Sequence, residues 1–93
     1  MNHAHIETTI KKILIDDLQV DAALLENADA QTPLLGRGIG LDSVEALRLA
    51  LGLENAFDIS IPDAELTVEL FSSFGALTEY IARKISARAE LVK

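Results

Sequence analysis

Leu41-Asp42-Ser43-Val44-Glu45-Ala46-Leu47-Arg48-Leu49-Ala50-Leu51-Gly52-Leu53-Glu54-Asn55-Ala56-Phe57, followed by Asp58-Ile59-Ser60-Ile61-Pro62-Asp63, is the stretch on which the fold turns. Asp42 is placed to cap a helix, and Glu45, three residues on, completes a capping-box pair. Projected at about 100° per residue, Val44, Leu47 and Leu51 fall beside Ala46, Ala50, Leu53 and Phe57, which predicts one buried half with Leu47 and Leu51 in the core. The other half holds Glu45, Arg48, Gly52 and Asn55, with Leu49 and Ala56 at its border, and is the presented face. Pro62 biases Ile61 out of the helical region and ends the segment.

Upstream, Ile6, Ile10, Ile13, Leu14 and Leu18 share one helical face, so a first helix is expected over about 4–18. The connection from Val20 to Leu41 is long, with alternating Gly36, Gly38 and Gly40 and the apolar anchors Leu24, Leu25, Leu34, Leu35 and Ile39. Loops of that length are commonly functional, and the anchors lay it along the bundle. Downstream, a short helix is expected at about 63–70. A last helix is capped by Ser72 or Ser73, with Phe74, Leu77, Ile81 and Ile85 on one face. The fold class that follows is all-α: a four-helix bundle of three longer helices and one short one, with a long loop between helices one and two, forming a single domain over 1–93.

Composition narrows the function. Hydrophobic residues make up 49% of 93 residues with only four aromatics, a helical core of Leu, Ile, Val and Ala. There is no cysteine, which removes disulfides, thiolate metal ligands and thiol nucleophiles, so any thioester chemistry needs a sulfur from a prosthetic group. Fifteen acidic against eight basic side chains give a net charge of −7, repelling nucleic acid and anionic membranes and favouring partners with basic patches. Between Asp42 and Glu79 eight acids surround one base, Arg48. The first residues lack the layout of a secretory signal and no apolar run reaches the ~18 residues of a membrane span, so a cytoplasmic monomer is expected.

Ser43 is the candidate site residue. A serine at a helix start is most often a cap, yet a phosphate linked there would sit near unpaired N–H groups at the positive end of the helix dipole. Catalysis by Ser43 is disfavoured: the motif is not a nucleophile elbow, Asp42 is a poor base for a hydroxyl, and the two histidines, His3 and His5, lie at a terminus expected to fray. His3 and His5 offer half a metal site that nothing completes, and a disordered terminus is the plainer reading. The alternating glycines lack the lysine and serine or threonine of a nucleotide loop, leaving backbone flexibility beside Ser43 as their meaning. Asp58, Asp63, Glu65 and Glu69 lack EF-hand spacing and read as a solvated acidic face that doubles as a docking surface.

Leu41-Asp42-Ser43 ahead of a helix, then Phe57-Asp58-Ile59-Ser60-Ile61-Pro62-Asp63 and a last helix through Thr78-Glu79-Tyr80-Ile81, resembles the acyl carrier protein family over most of the chain. The resemblance implies that Ser43 bears covalent 4'-phosphopantetheine, added from coenzyme A by a phosphopantetheinyl transferase, with Asp42 helping that enzyme position magnesium. It implies a carrier rather than an enzyme, passing acyl thioesters between acyl-loading and acyl-transferring enzymes with basic docking patches. Glu45, Arg48, Leu49, Asn55 and Ala56 then form the partner-binding face. Members serving primary fatty acid synthesis usually have leucine after the serine and glutamate five residues after it, where this chain has Val44 and Arg48, and Asn55 replaces a further acid. Those differences point to a specialised freestanding carrier of a polyketide, modified-lipid or related pathway, with Arg48 repelling the wrong enzymes. An aminoacyl or peptidyl carrier, and an interaction module without a prosthetic group, are the alternatives.

Overall fold

The computed structural model describes residues 3–91. Its order is α1 (His3–Asp16), α2 (Ala22–Glu26), α3 (Ser43–Phe57), a single 3-10 turn (Asp63–Glu65) and α4 (Phe74–Leu91). The all-α expectation holds, with three longer helices and one short helix. The short one is displaced, however. It lies inside the connection as α2, where Asp21 caps five residues by accepting from the Ala23 N–H. Residues 63–70, expected to be helical, hold only the 3-10 turn before the chain folds into successive turns.

α1 packs against both α3 and α4. Ile6, Ile10 and Leu14 from α1, Leu49 and Leu53 from α3, and Phe74, Leu77 and Ile81 from α4 are completely buried. Leu25, Leu34 and Ile39 anchor the connection to this core as expected, whereas Leu24 is exposed. α1 stops two residues short of the expected end: Gln19 turns left-handed and the Val20 N–H bonds back to the Leu14 carbonyl. The fraying expected of His3 and His5 is also corrected, since both belong to α1 and the His5 ring meets the edge of Phe57 at 6.4 Å.

The buried arc of α3 differs from the projected one. Ala46, Leu49, Ala50 and Leu53 are buried, while Val44, Leu47 and Leu51 are 65%, 47% and 52% exposed. The helix is thus rotated by about a quarter turn from the expected arrangement. Apolar residues cover more than half its circumference, so periodicity alone does not choose which of them meet α1. Leu47 and Leu51 leave the predicted core and Leu49 joins it.

α3 ends as the sequence suggests. Asp58 adopts the left-handed conformation at φ 53°, and the Ile59 N–H reaches the Glu54 carbonyl. The Glu54 carboxylate then accepts the Ile61 N–H at 2.7 Å, which aims the chain into Pro62. Two clasps bind this segment to α4: Asp58 pairs with Arg88, and Glu65 accepts from the Tyr80 hydroxyl and pairs with Lys84.

Candidate functional site

Ser43 is the first residue of α3, and the segment before it is a built turn. The Ile39 N–H bonds to the Pro33 carbonyl at 2.9 Å and the Leu41 N–H to the Leu34 carbonyl at 3.0 Å. That closure leaves no room at position 38, where a Cβ would lie 1.7 Å from the Pro33 oxygen, and it sets Gly40 at φ +87°. The glycines therefore serve a defined geometry, rather than the flexibility expected of them.

The capping box is complete. The Asp42 carboxylate accepts the Glu45 N–H at 2.8 Å and the Glu45 carboxylate accepts the Asp42 N–H at 3.1 Å. Asp42 does the capping, so the bland reading of Ser43 as an N-cap is replaced: its side chain stands exposed one residue inside the helix. A phosphate on its oxygen would meet the positive end of a 15-residue helix, at a point where the first-turn N–H groups have no intrahelical acceptor.

Beside Ser43 opens a cleft of about 380 Å³ between the start of α3 and the segment after the 3-10 turn, walled by Leu35, Leu41, Leu47, Leu66, Val68 and Phe71. None of the wall positions at 66–71 was read as functional from the sequence. The available signal was the row of apolar residues Leu66, Val68 and Phe71 in a stretch without helical cap or break.

The remaining expected site residues separate. Glu45 is adjacent and half-buried, and Arg48 is exposed, with its guanidinium donating to the Asp17 carbonyl at 3.0 Å beyond the end of α1. Leu49 is fully buried and does not reach a partner, which corrects its place on the presented face. Asn55 and Ala56 are exposed but lie about 18 Å or more along the helix axis from Ser43. His5 meets Phe57 at that same far end, so it supplies no base to Ser43. Elsewhere, hydrogen bonds from the Tyr80 hydroxyl and then Lys84 hold the Glu65 carboxyl below its ordinary value, and burial followed by the hydrogen bond to Glu65 pushes the Tyr80 hydroxyl up.

Compared with known protein families, residues 8–81 match the one described as phosphopantetheine attachment site. The match takes in α1 from Thr8 on, the connection, Asp42-Ser43, α3 and the first part of α4.

Proposed function

This chain belongs to the phosphopantetheine attachment-site family, non-catalytic carriers with a covalent 4'-phosphopantetheine, and we propose that the group is attached at Ser43. The observation that carries the assignment is the division of labour at the start of α3. Asp42 and Glu45 secure the helix end between themselves, leaving an exposed serine hydroxyl beside an apolar cleft. Carriers of this kind are modified by a phosphopantetheinyl transferase and then visit partner enzymes. In the modification, the Ser43 oxygen forms a phosphodiester, its proton passes to the transferase, and the phosphoanhydride bond of coenzyme A breaks to release the nucleotide.

The prosthetic group supplies the thiol that this cysteine-free chain lacks. A flexible arm holds cargo at high effective concentration in each partner's active site. We assign the cargo as an acyl group of a lipid, polyketide or related pathway, because the cleft beside Ser43 offers an aliphatic wall and no charged side chain for an α-amino group. Mass spectrometry after co-expression with a broad-specificity transferase tests the attachment. One pantetheine adduct on the wild type, lost in Ser43→Ala, supports it, and an unmodified wild type refutes it. Ser43→Ala should melt within ~0.5 kcal/mol of the parent, because Asp42 keeps the cap.

A further inference from the structure

Resting on that carrier reading, we infer that Gly40 is a positioning residue for the modification of Ser43: its positive-φ backbone sets the direction in which the serine leaves the turn, so that a transferase meets a hydroxyl already aimed. The reason lies in the hydrogen bonds of the turn. Pro33 and Leu34, consecutive in the chain, accept from Ile39 and Leu41, which are two residues apart. One residue of surplus chain has to be taken up between those donors, and Gly40 takes it up at φ +87°. Its neighbours Ile39 and Leu41 are both buried, whereas Gly40 is exposed. Shifting the kink onto either neighbour would pull a side chain from the core or break one of the two bonds.

The turn is fixed on both sides of that kink. The Leu34 N–H is given to the Phe71 carbonyl at 3.2 Å while the Leu34 carbonyl holds the Leu41 N–H at 3.0 Å, which ties the turn to the chain ahead of α4. Beyond it, Asp42 runs extended at φ −92° and is closed onto Glu45 by the capping box. Only Leu41, held in the core, and Asp42, held by its cap, separate Gly40 from Ser43, so the serine takes its direction from the Gly40 backbone. A serine held in advance need not be ordered when an enzyme binds, and misplacing a reacting atom by about 1 Å costs on the order of a hundredfold in rate. Gly36 supplies the contrast. It also has positive φ, +61°, with open space around it, but it lies within the loop that the two bonds close and seven residues ahead of Ser43. At Gly40 a Cβ would meet the Gly36 carbonyl oxygen at 3.5 Å, an ordinary contact, so backbone conformation and not space is what a side chain there would disturb.

The test uses the whole apo protein with a broad-specificity phosphopantetheinyl transferase, coenzyme A and magnesium, comparing the wild type with Gly40→Ala, Gly40→Asn and Gly36→Ala, each checked for folding by circular dichroism. Gly40→Ala should lower kcat at least about tenfold with KM within about twofold, because docking is untouched and alignment alone suffers. Gly40→Asn, bulkier than alanine yet more tolerant of positive φ, should recover most of that loss, an order that crowding by the side chain would reverse. Gly36→Ala, which carries a comparable backbone penalty, should load within about twofold of the wild type. Unchanged loading in Gly40→Ala, an equal loss in Gly36→Ala, or slower loading of the Asn variant than of the Ala variant overturns the inference. If Gly40→Ala does not fold, amide exchange in the wild type decides: protection of Ile39 and Leu41 comparable to that within α3 supports a preset turn, and exchange at the rate of a free amide overturns it. A wild type that is not loaded at all removes the carrier reading and this inference with it, whereas normal loading that is indifferent to Gly40 removes the inference alone.

Discussion

The two helices that start near the cleft are begun in opposite ways. At α3 the donors are satisfied locally, Asp42 and Glu45 exchanging N–H bonds across three residues. At α4, Ser73 accepts the Ala76 N–H, but the Phe74 and Gly75 N–H groups are given to the Thr32 and Ala30 carbonyls of the long connection. A locally closed helix end keeps its serine free for chemistry, because nothing else has to sit on top of it. A remotely closed end is covered by other chain. The difference separates the part of the bundle built to be approached from the part built to be held.

Contrasting the two sides of α3 gives the largest expected effect. Leu53→Ala removes a completely buried side chain and should cost ~2–5 kcal/mol in urea melts, whereas Leu51→Ala, half exposed, should cost under ~1 kcal/mol. Equal costs would mean that the rotation of α3 is misassigned. Next, Gly38→Ala forces a Cβ into the Pro33 carbonyl and should destabilise by ~1–3 kcal/mol. Because that turn supports the connection, amide exchange at Phe74 and Gly75 should quicken while Glu45 stays protected. Asp42→Ala is the mirror experiment. It should cost ~1 kcal/mol and raise exchange at Glu45 while leaving Phe74 and Gly75 unaffected. Exchange rising at both helix starts in either variant would dissolve the distinction between them.

The smallest effect concerns the clasp that ties the 3-10 turn to α4. Tyr80→Phe deletes the hydroxyl that Glu65 accepts from, and should lower Tm by no more than a few degrees at neutral pH. Because the folded Glu65 carboxyl is held below its ordinary value near 4.5, its contribution is present above that value and fades as pH falls through the lower folded one. Melts of the two proteins should therefore converge in acid. Tyr80 itself is raised, so the wild type should also lose stability as pH rises above its ordinary value near 10. A gap between wild type and variant that persists unchanged below pH ~3 would show that the Tyr80 hydroxyl acts independently of the Glu65 charge.

What could be read in advance follows the same division between local and remote. The Asp42–Glu45 box, the end of α3 before Pro62 and the Ser73 cap are all short-range codes, and each is realised. The Asp42-Ser43 motif stood out because it sits inside one of these codes. The rotation of α3 was not, since seven of the ten residues from Val44 to Leu53 are Val, Ala or Leu and only the position of α1 selects among them. Asp21 ahead of Ala22-Ala23-Leu24-Leu25 was a readable cap, overlooked because the helix it starts is barely more than one turn. The expected helix at 63–70 fails where Leu66 leaves the helical region with ψ 77°, ahead of the β-branched pair Thr67 and Val68. The cleft has no linear signature, because its walls come from three separate parts of the chain.

The loan of carbonyls from Ala30 and Thr32 to the start of α4 also ties the two ends of the chain's synthesis together. The acceptors precede their donors by more than forty residues, so these two bonds form only when that long loop closes. During synthesis from the N-terminus, α1, the connection and α3 emerge first, and α4 arrives onto carbonyls already waiting for it. The last helix made is thus the one that locks the connection in place, and with it the turn that delivers the serine. Nascent chains still lacking α4 would have no donors for the Ala30 and Thr32 carbonyls, so the connection gains that support only when the whole bundle has closed.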